Sequence, residues 1–310
     1  MSVPPKVRRS LSRLIKSIQT LFGNRTVNRT ISCYTNNYGP SGVWVAVEQI
    51  RATGLDHLEL ALRGHNFGGL VIPESVVVTE KADDATAQSF VDHLAKHGVK
   101  VSGCNVGGAD IRTRDGVELT ARRMTFAAQW FGVSVVVSGA GQPVDELERK
   151  QVIAHLRELG DRAETLGLTI ALETHKGPTQ NAEAMLRLMD EVDHPRVRLN
   201  FDTGNIAYYN SGLDPVAELA RVKHLVRNVH LKDNRGGLED WYFPAIGEGG
   251  AVDFSQVREI LDSVGYKGAC TIEIEGIGGE AEPGLEERQG RIARSVVHLR
   301  RCGFLPSAAG

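Results

Sequence analysis

Cysteine is scarce in this chain of 310 residues, with only Cys33, Cys104, Cys270 and Cys302. None forms a CxxC pair, and the spacing is too wide for a disulfide framework or a zinc knot. Reduced thiols in a cytoplasmic protein are expected instead. No stretch approaches about 18 uninterrupted apolar residues, so no membrane-spanning helix is expected. No glycine-rich phosphate cradle of recognised type appears, and internal repeats and low-complexity tracts are absent. An excess of charge of one sign is also missing. The formal net charge is −2, which gives no global case for nucleic acid or acidic partners. Acids are lacking in one place only. Residues 1–30 hold Lys6, Arg8, Arg9, Arg13, Lys16, Arg25 and Arg29 and no acid, so this end is +7 and the remainder is −9.

That basic end has its own pattern. Leu11, Leu14, Ile15, Ile18, Leu21 and Phe22 recur at helical spacing and form one apolar stripe. Arg13 and Lys16 interrupt any signal-peptide core. Residues 1–28 are expected to be a basic amphipathic extension packed on the main domain or on a second copy of the chain, which makes a homo-oligomer conceivable. A membrane-surface anchor or an organellar presequence is the sharper alternative.

What is present fits one large α/β domain over 29–305, since hydrophobic residues make up 41% of the chain. Strands are expected at 30–34, 57–62, 99–105 and 133–139, with helices at about 43–53, 83–98, 116–132 and 143–167 between and after them. Residues 63–82 read as a long connection of functional character. The second half alternates more strictly. LTIALETHK, VRLNFD, LVRNVHLKD and CTIEIEG each put polar residues on one face and apolar residues on the other, as a side-chain period of two requires. Helices follow at about 180–192, 214–222, 253–264 and 284–303. Eight strand–helix repeats predict a (β/α)8 TIM barrel, whose active-site face is formed by the C-terminal ends of the strands.

Four successive strands carry Glu173, Asp202, His230 and Glu273 near those ends. Taken singly, each has an ordinary explanation: a salt bridge for either glutamate, a helix cap or Asx turn for Asp202, a hydrogen-bonded core residue for His230. Together they face inward by one alternation. Burying three carboxylates side by side without a cation is very costly, so a metal site is expected. Three carboxylates and one imidazole form an oxygen-rich set suited to Mn2+, with Mg2+ or Co2+ also compatible.

The stretches LETHKG (172–177), LNFDTGN (199–205), VHLKD (229–233), FPAIGEGGAVDF (243–254) and GYKGACTIEIEG (265–276) resemble the xylose isomerase-like superfamily of sugar isomerases and epimerases. Ketose 3-epimerases, inosose dehydratases and endonuclease IV are among its members. The resemblance implies Glu173, Asp202, His230 and Glu273 as metal ligands, with Glu173 and Glu273 also moving protons. Glu275 has the same parity as Glu273, but the family pattern selects the first glutamate of IEIE. Substrate contacts are expected from His175, Lys176, Lys232 and Arg235, and from Glu59 and Asn105 on strands two and three. Trp241, Tyr242 and Phe243 form an aromatic run that could stack on an apolar sugar face or meet another copy. One departure stands out: Asn205 lies where many relatives carry a histidine. It can hydrogen-bond a substrate but cannot serve as an acid near neutrality. With no basic barrel segment, this argues against nuclease action.

The expected activity is a divalent-metal-dependent isomerisation or epimerisation of a small sugar or polyol. A proton is lost beside a carbonyl and an enediolate is stabilised. A lyase or dehydratase acting on a keto-sugar, inosose or keto-glycoside is the alternative on the same path. A non-catalytic barrel used for binding or assembly is the alternative of another class.

Overall fold

A computed structural model of the chain describes residues 29–62 and 78–306. The expected N-terminal helix and most of the long connection, residues 63–77, lie outside them. Eight parallel strands close into a barrel in chain order: β1 (Ile31–Tyr34), β2 (His57–Ala61), β3 (Lys100–Asn105), β4 (Val135–Ser138), β5 (Thr169–Glu173), β6 (Val197–Asp202), β7 (Val226–Leu231) and β9 (Ala269–Ile272). Strand β9 pairs back onto β1 and completes the cylinder. The helices are α1 (Gly42–Gln49), α2 (Asp84–His97), α3 (Arg114–Phe131), α4 (Glu146–Thr165), α5 (Ala182–Val192), α6 (Thr203–Tyr209), α7 (Pro215–Val222), α8 (Phe254–Ser263) and α9 (Leu285–Arg301).

The apolar face of each strand meets the helices. Leu199 and Phe201, Val229 and Leu231, and Cys270 and Ile272 are all fully buried there. The opposite, polar face is buried too, because it fills the barrel interior rather than meeting water. Helix starts follow the capping rule. Asp83, Thr113, Asp145, Asn181, Asp214 and Asp253 each accept a hydrogen bond from a backbone N–H in the first turn of α2, α3, α4, α5, α7 and α8. Helix α4 ends as expected at Gly167, whose φ of +70° suits glycine, with Leu168 N donating to Ala163 O at 2.7 Å.

Two small elements lie outside the eight repeats. Helix α6 follows β6 without a break. A short antiparallel pair joins β8 (Tyr242–Phe243) to β10 (Gly276–Ile277) and ties the loop after β7 to the loop after β9.

Candidate active site

Strand register sets the positions of the four ligand-type residues. Glu173 is level with Asn200 across β5–β6, Asp202 with His230 across β6–β7, and His230 with Thr271 across β7–β9. Glu273 lies two residues further along. The set therefore climbs by register from β5 to β9. Strands in a barrel tilt to its axis, so this climb brings the four to one height. One ligand atom from each of Glu173, Asp202, His230 and Glu273 lies within 4.8 Å of the others.

Asp202 meets two demands at once. Its Oδ1 accepts from Gly204 N and Asn205 N, both at 2.9 Å, and caps α6. Its Oδ2 is buried with no hydrogen-bond partner. The capping reading and the ligand reading thus use different oxygens of one carboxylate. Burial pushes this carboxyl up to about 8, against the attraction of Lys232. His230 is likewise split between its nitrogens. Its Nε2 meets Glu59 Oε1 at 2.9 Å, and its Nδ1 lies 3.0 Å from Glu273 Oε2 and 3.4 Å from Glu173 Oε1. Burial disfavours the imidazolium, but Glu59, Glu273 and Glu173 outweigh it and raise the pKa well above the usual value. The Glu59 contact fixes the ring with Nδ1 facing Glu173 and Glu273, and a cation bound there would displace the Nδ1 proton.

Beneath this set lies a second polar layer. Glu59 Oε2 accepts from Asn228 Nδ2 at 3.0 Å and Thr271 Oγ1 at 2.8 Å, and Asn228 Nδ2 also donates to Asn200 Oδ1 at 3.0 Å. Glu59, expected from the sequence to meet a substrate hydroxyl, is fully buried under the floor, contacts His230 and is absent from the cavity lining.

Above the floor opens a cavity of about 390 Å³. Glu173, Glu273, His175, Asn105, Asn205 and Lys232 all line it. Asn105 Oδ1 accepts from Gly107 N at 3.0 Å, and Asn205 Nδ2 donates to Thr174 O at 2.9 Å. His175 meets Tyr209 OH at 2.7 Å and Gln142 Nε2 at 3.1 Å, and burial lowers its pKa. Lys232 is almost wholly buried. Its Nζ lies 2.6 Å from Glu275 Oε2, and 3.6 Å from both Asp202 Oδ2 and Glu273 Oε2. Burial opposes its charge, yet Glu273, Glu275 and Asp202 raise its pKa well above the usual value and keep it an ammonium.

Lys176 and Arg235 do not line the cavity. Lys176 is exposed and pairs with Glu239 Oε1 at 3.3 Å. Arg235 grips Asp240 through Nε at 2.5 Å and Nη2 at 3.0 Å, and lies 4.3 Å over the Tyr242 ring. Each has a local partner, and the structure does not bring either to the cavity with the other expected substrate contacts. The aromatic run divides by alternation. Tyr242 turns toward Arg235, while Trp241 and Phe243 join the cavity wall with Tyr208 at ring separations of 5.3–5.8 Å.

Several lining residues were missed. Tyr34, on the cavity wall, stacks on the His230 ring at 5.6 Å. Glu275, Arg288 and Arg291 line the wall as well, Arg291 holding Glu280 through two contacts of 2.8 Å. Parity alone pointed to Glu275. No local pattern marks the arginines, which come from the last helix.

Whether a divalent ion fits can be judged from the donors. Two buried atoms converge there: Asp202 Oδ2 has no hydrogen-bond partner, and His230 Nδ1 faces the carboxylates of Glu173 and Glu273. The donors suit a hard or borderline dication.

Comparison with known proteins agrees with this fold. The family description "Xylose isomerase-like TIM barrel" matches residues 47–302. An inosose dehydratase of Geobacillus thermodenitrificans is 29% identical over 252 residues, 74% of this chain and 77% of that protein. The rhizopine catabolism protein MocC of Rhizobium meliloti is 30% identical over 215 residues, 62% of this chain and 63% of its own length. Several other inosose dehydratases match over about half their length, among them that of Clostridium beijerinckii at 32% identity and 48% coverage. Among solved structures, a Mycobacterium smegmatis protein in complex with magnesium superposes with a TM-score of 0.69 at 19% identity, covering 90% of this chain and 98% of that one. A D-psicose 3-epimerase of Clostridium cellulolyticum with D-tagatose also gives 0.69, at 14% identity, covering 89% and 100%. No helix among the described residues is long and apolar enough to cross a membrane. The chain belongs to the xylose isomerase-like TIM-barrel family, whose relatives include sugar-modifying enzymes.

Proposed function

We propose that the protein is a divalent-metal-dependent enzyme that removes the proton beside the carbonyl of a small keto-polyol. The convergence of Glu173, Asp202, His230 and Glu273 on one cavity floor carries this reading. These four would hold the ion, with Mn2+ favoured and Mg2+ or Co2+ also suited to the donors. When bound, the ion polarises the substrate carbonyl and lowers the cost of negative charge on its oxygen.

The residues of the chain supply the rest. Glu173 and Glu273 both reach the cavity, so one carboxylate can take the proton from carbon while the other returns one. Lys232, held as an ammonium, can donate a hydrogen bond to a substrate oxygen. Asn105 and Asn205 offer amides to hydroxyl groups, and the wall of Tyr208, Trp241 and Phe243 can cover the C–H face of a ring. In the first reading the reaction ends in dehydration of an inosose-like cyclic ketone. The second glutamate, in its protonated form, then gives its proton to the departing β-hydroxyl, and water leaves. Sequence similarity to inosose dehydratases favours this outcome. Epimerisation or isomerisation is the second reading, favoured by the pair of carboxylates on one cavity. In it the returned proton goes to carbon.

Incubation with inososes and ketohexoses in D2O, with Mn2+ added, decides between them. Dehydration gives a product lighter by one water. Epimerisation gives an isomer carrying deuterium at the exchanged carbon. If neither substrate class shows loss of water or deuterium uptake in the metal-loaded protein, the proposal is refuted.

A further inference from the structure

Away from the cavity, helix α1 before β2 packs against helix α2 after it. Trp44 and Phe90 meet edge to face at 5.0 Å at the base of this contact. On the same contact lie Glu48 of α1 and His93 and His97 of α2. One ligand-capable atom from each lies within 4.8 Å of the others. His93 and His97 are four residues apart, so they stand one above the other on a single helix face. Their ring centroids are 4.6 Å apart.

The site is partly preorganised. The His93 ring leans on Trp44 at 5.1 Å and keeps only 15% of its side-chain surface exposed. Its Nε2 lies 3.3 Å from Trp44 O and 3.6 Å from Glu48 Oε1. Nε2 is the ring atom beside Glu48, and in the tautomer protonated at Nδ1 it carries the lone pair for an ion there. His97 is the last residue of α2, where the helix presents its carbonyl end and favours positive charge. Arg51 also lies at this helix end, its Nη1 donating to Gly98 O at 3.0 Å.

We propose that Glu48, His93 and His97 form a second metal site, independent of the cavity, for a borderline ion such as Zn2+. Two imidazoles and one carboxylate select Zn2+, Ni2+ or Cu2+ over Mg2+ or Mn2+, the reverse of the oxygen-rich cavity floor. Water completes the coordination, since only three protein donors converge. The ion ties α1 to α2 and so braces the two helices that flank β2, the strand bearing Glu59.

The test uses the full chain and Zn2+ alone, with a chromophoric chelator as competitor. The Glu273→Gln background weakens the cavity floor and so reads the second site separately. In that background about one Zn2+ is expected per chain, with a rise in Tm, because binding to the folded state stabilises it. His97→Ala, which removes a half-exposed ligand, abolishes both the uptake and the rise in Tm. Glu48→Gln weakens the uptake and leaves the metal-free Tm unchanged. If Zn2+ uptake is absent in the Glu273→Gln protein, or persists undiminished after His97→Ala, the assignment is overturned.

Discussion

The floor of the cavity and its rim are built in different ways. The floor residues sit at the ends of strands, and backbone register fixes their height to within a residue. The rim residues sit on loops, and long-range partners decide which way each points. Lys176 and Arg235 follow the ligand strands in sequence just as His175 and Lys232 do, yet the first two are exposed and salt-bridged to Glu239 and Asp240. Lys232 differs from Arg235 by three positions and is almost wholly buried among three carboxylates. Strand geometry places a side chain; loop geometry leaves that to its neighbours.

The largest effect is expected on the floor. Asp202→Asn keeps the size of the side chain and can still cap α6 through its oxygen, but removes the anionic donor. Turnover of any substrate should fall by about 10²-fold or more, with weakened Mn2+ uptake, while Tm in the absence of metal stays level or rises. A variant that retains both turnover and Mn2+ affinity would break the distinction between floor and rim.

Next comes the layer beneath. Glu59→Gln leaves the cavity lining intact but loosens His230, so Mn2+ affinity should fall roughly 10–100-fold. Titration calorimetry reads this without a substrate. Unchanged affinity would reduce Glu59 to a core residue with no bearing on the site.

Lys232→Met tests the boundary between floor and rim. It removes the ammonium facing Asp202, Glu273 and Glu275, and leaves the buried carboxylates of Asp202 and Glu273 without that cation. Losing one member of a buried pair costs about 3–5 kcal/mol. Urea unfolding should show that loss, and Asp202→Asn in the same chain should restore part of it. A double variant no more stable than the single would contradict the pairing.

The smallest effects belong to the exposed rim. Arg235→Ala and Lys176→Ala each break an exposed, solvent-screened salt bridge and should leave stability close to wild type. Both kcat and KM should stay close to wild type. A large rise in KM for either would return that residue to the substrate site and blur the comparison.

The legibility of the sequence follows the same division. The (β/α)8 pattern could be read because each strand alternates and most helices open on a capping Asp, Asn or Thr. The four floor residues could be read because alternation and position at a strand end act together. Asp202 is ambiguous between cap and ligand in the sequence, and its two oxygens differ: one caps α6 and the other has no hydrogen-bond partner. For Glu59 alternation gives the correct face but not its depth within the barrel, which is below the cavity lining. Helix α6 was missed because seven residues after a strand carry too short a pattern to register. The β8–β10 pair joins segments more than thirty residues apart, and nothing local announces it. Arg288 and Arg291 reach the cavity from the last helix, a contact set only by closure of the barrel.

The central claim is that the four floor residues hold one divalent ion. Native mass spectrometry of the full chain, titrated with Mn2+ beside its Asp202→Asn variant, tests it most directly. The account predicts uptake of about one Mn2+ per wild-type chain, lost or clearly weakened in the variant. A wild-type chain that takes up no Mn2+, or a variant that binds it equally well, would contradict it.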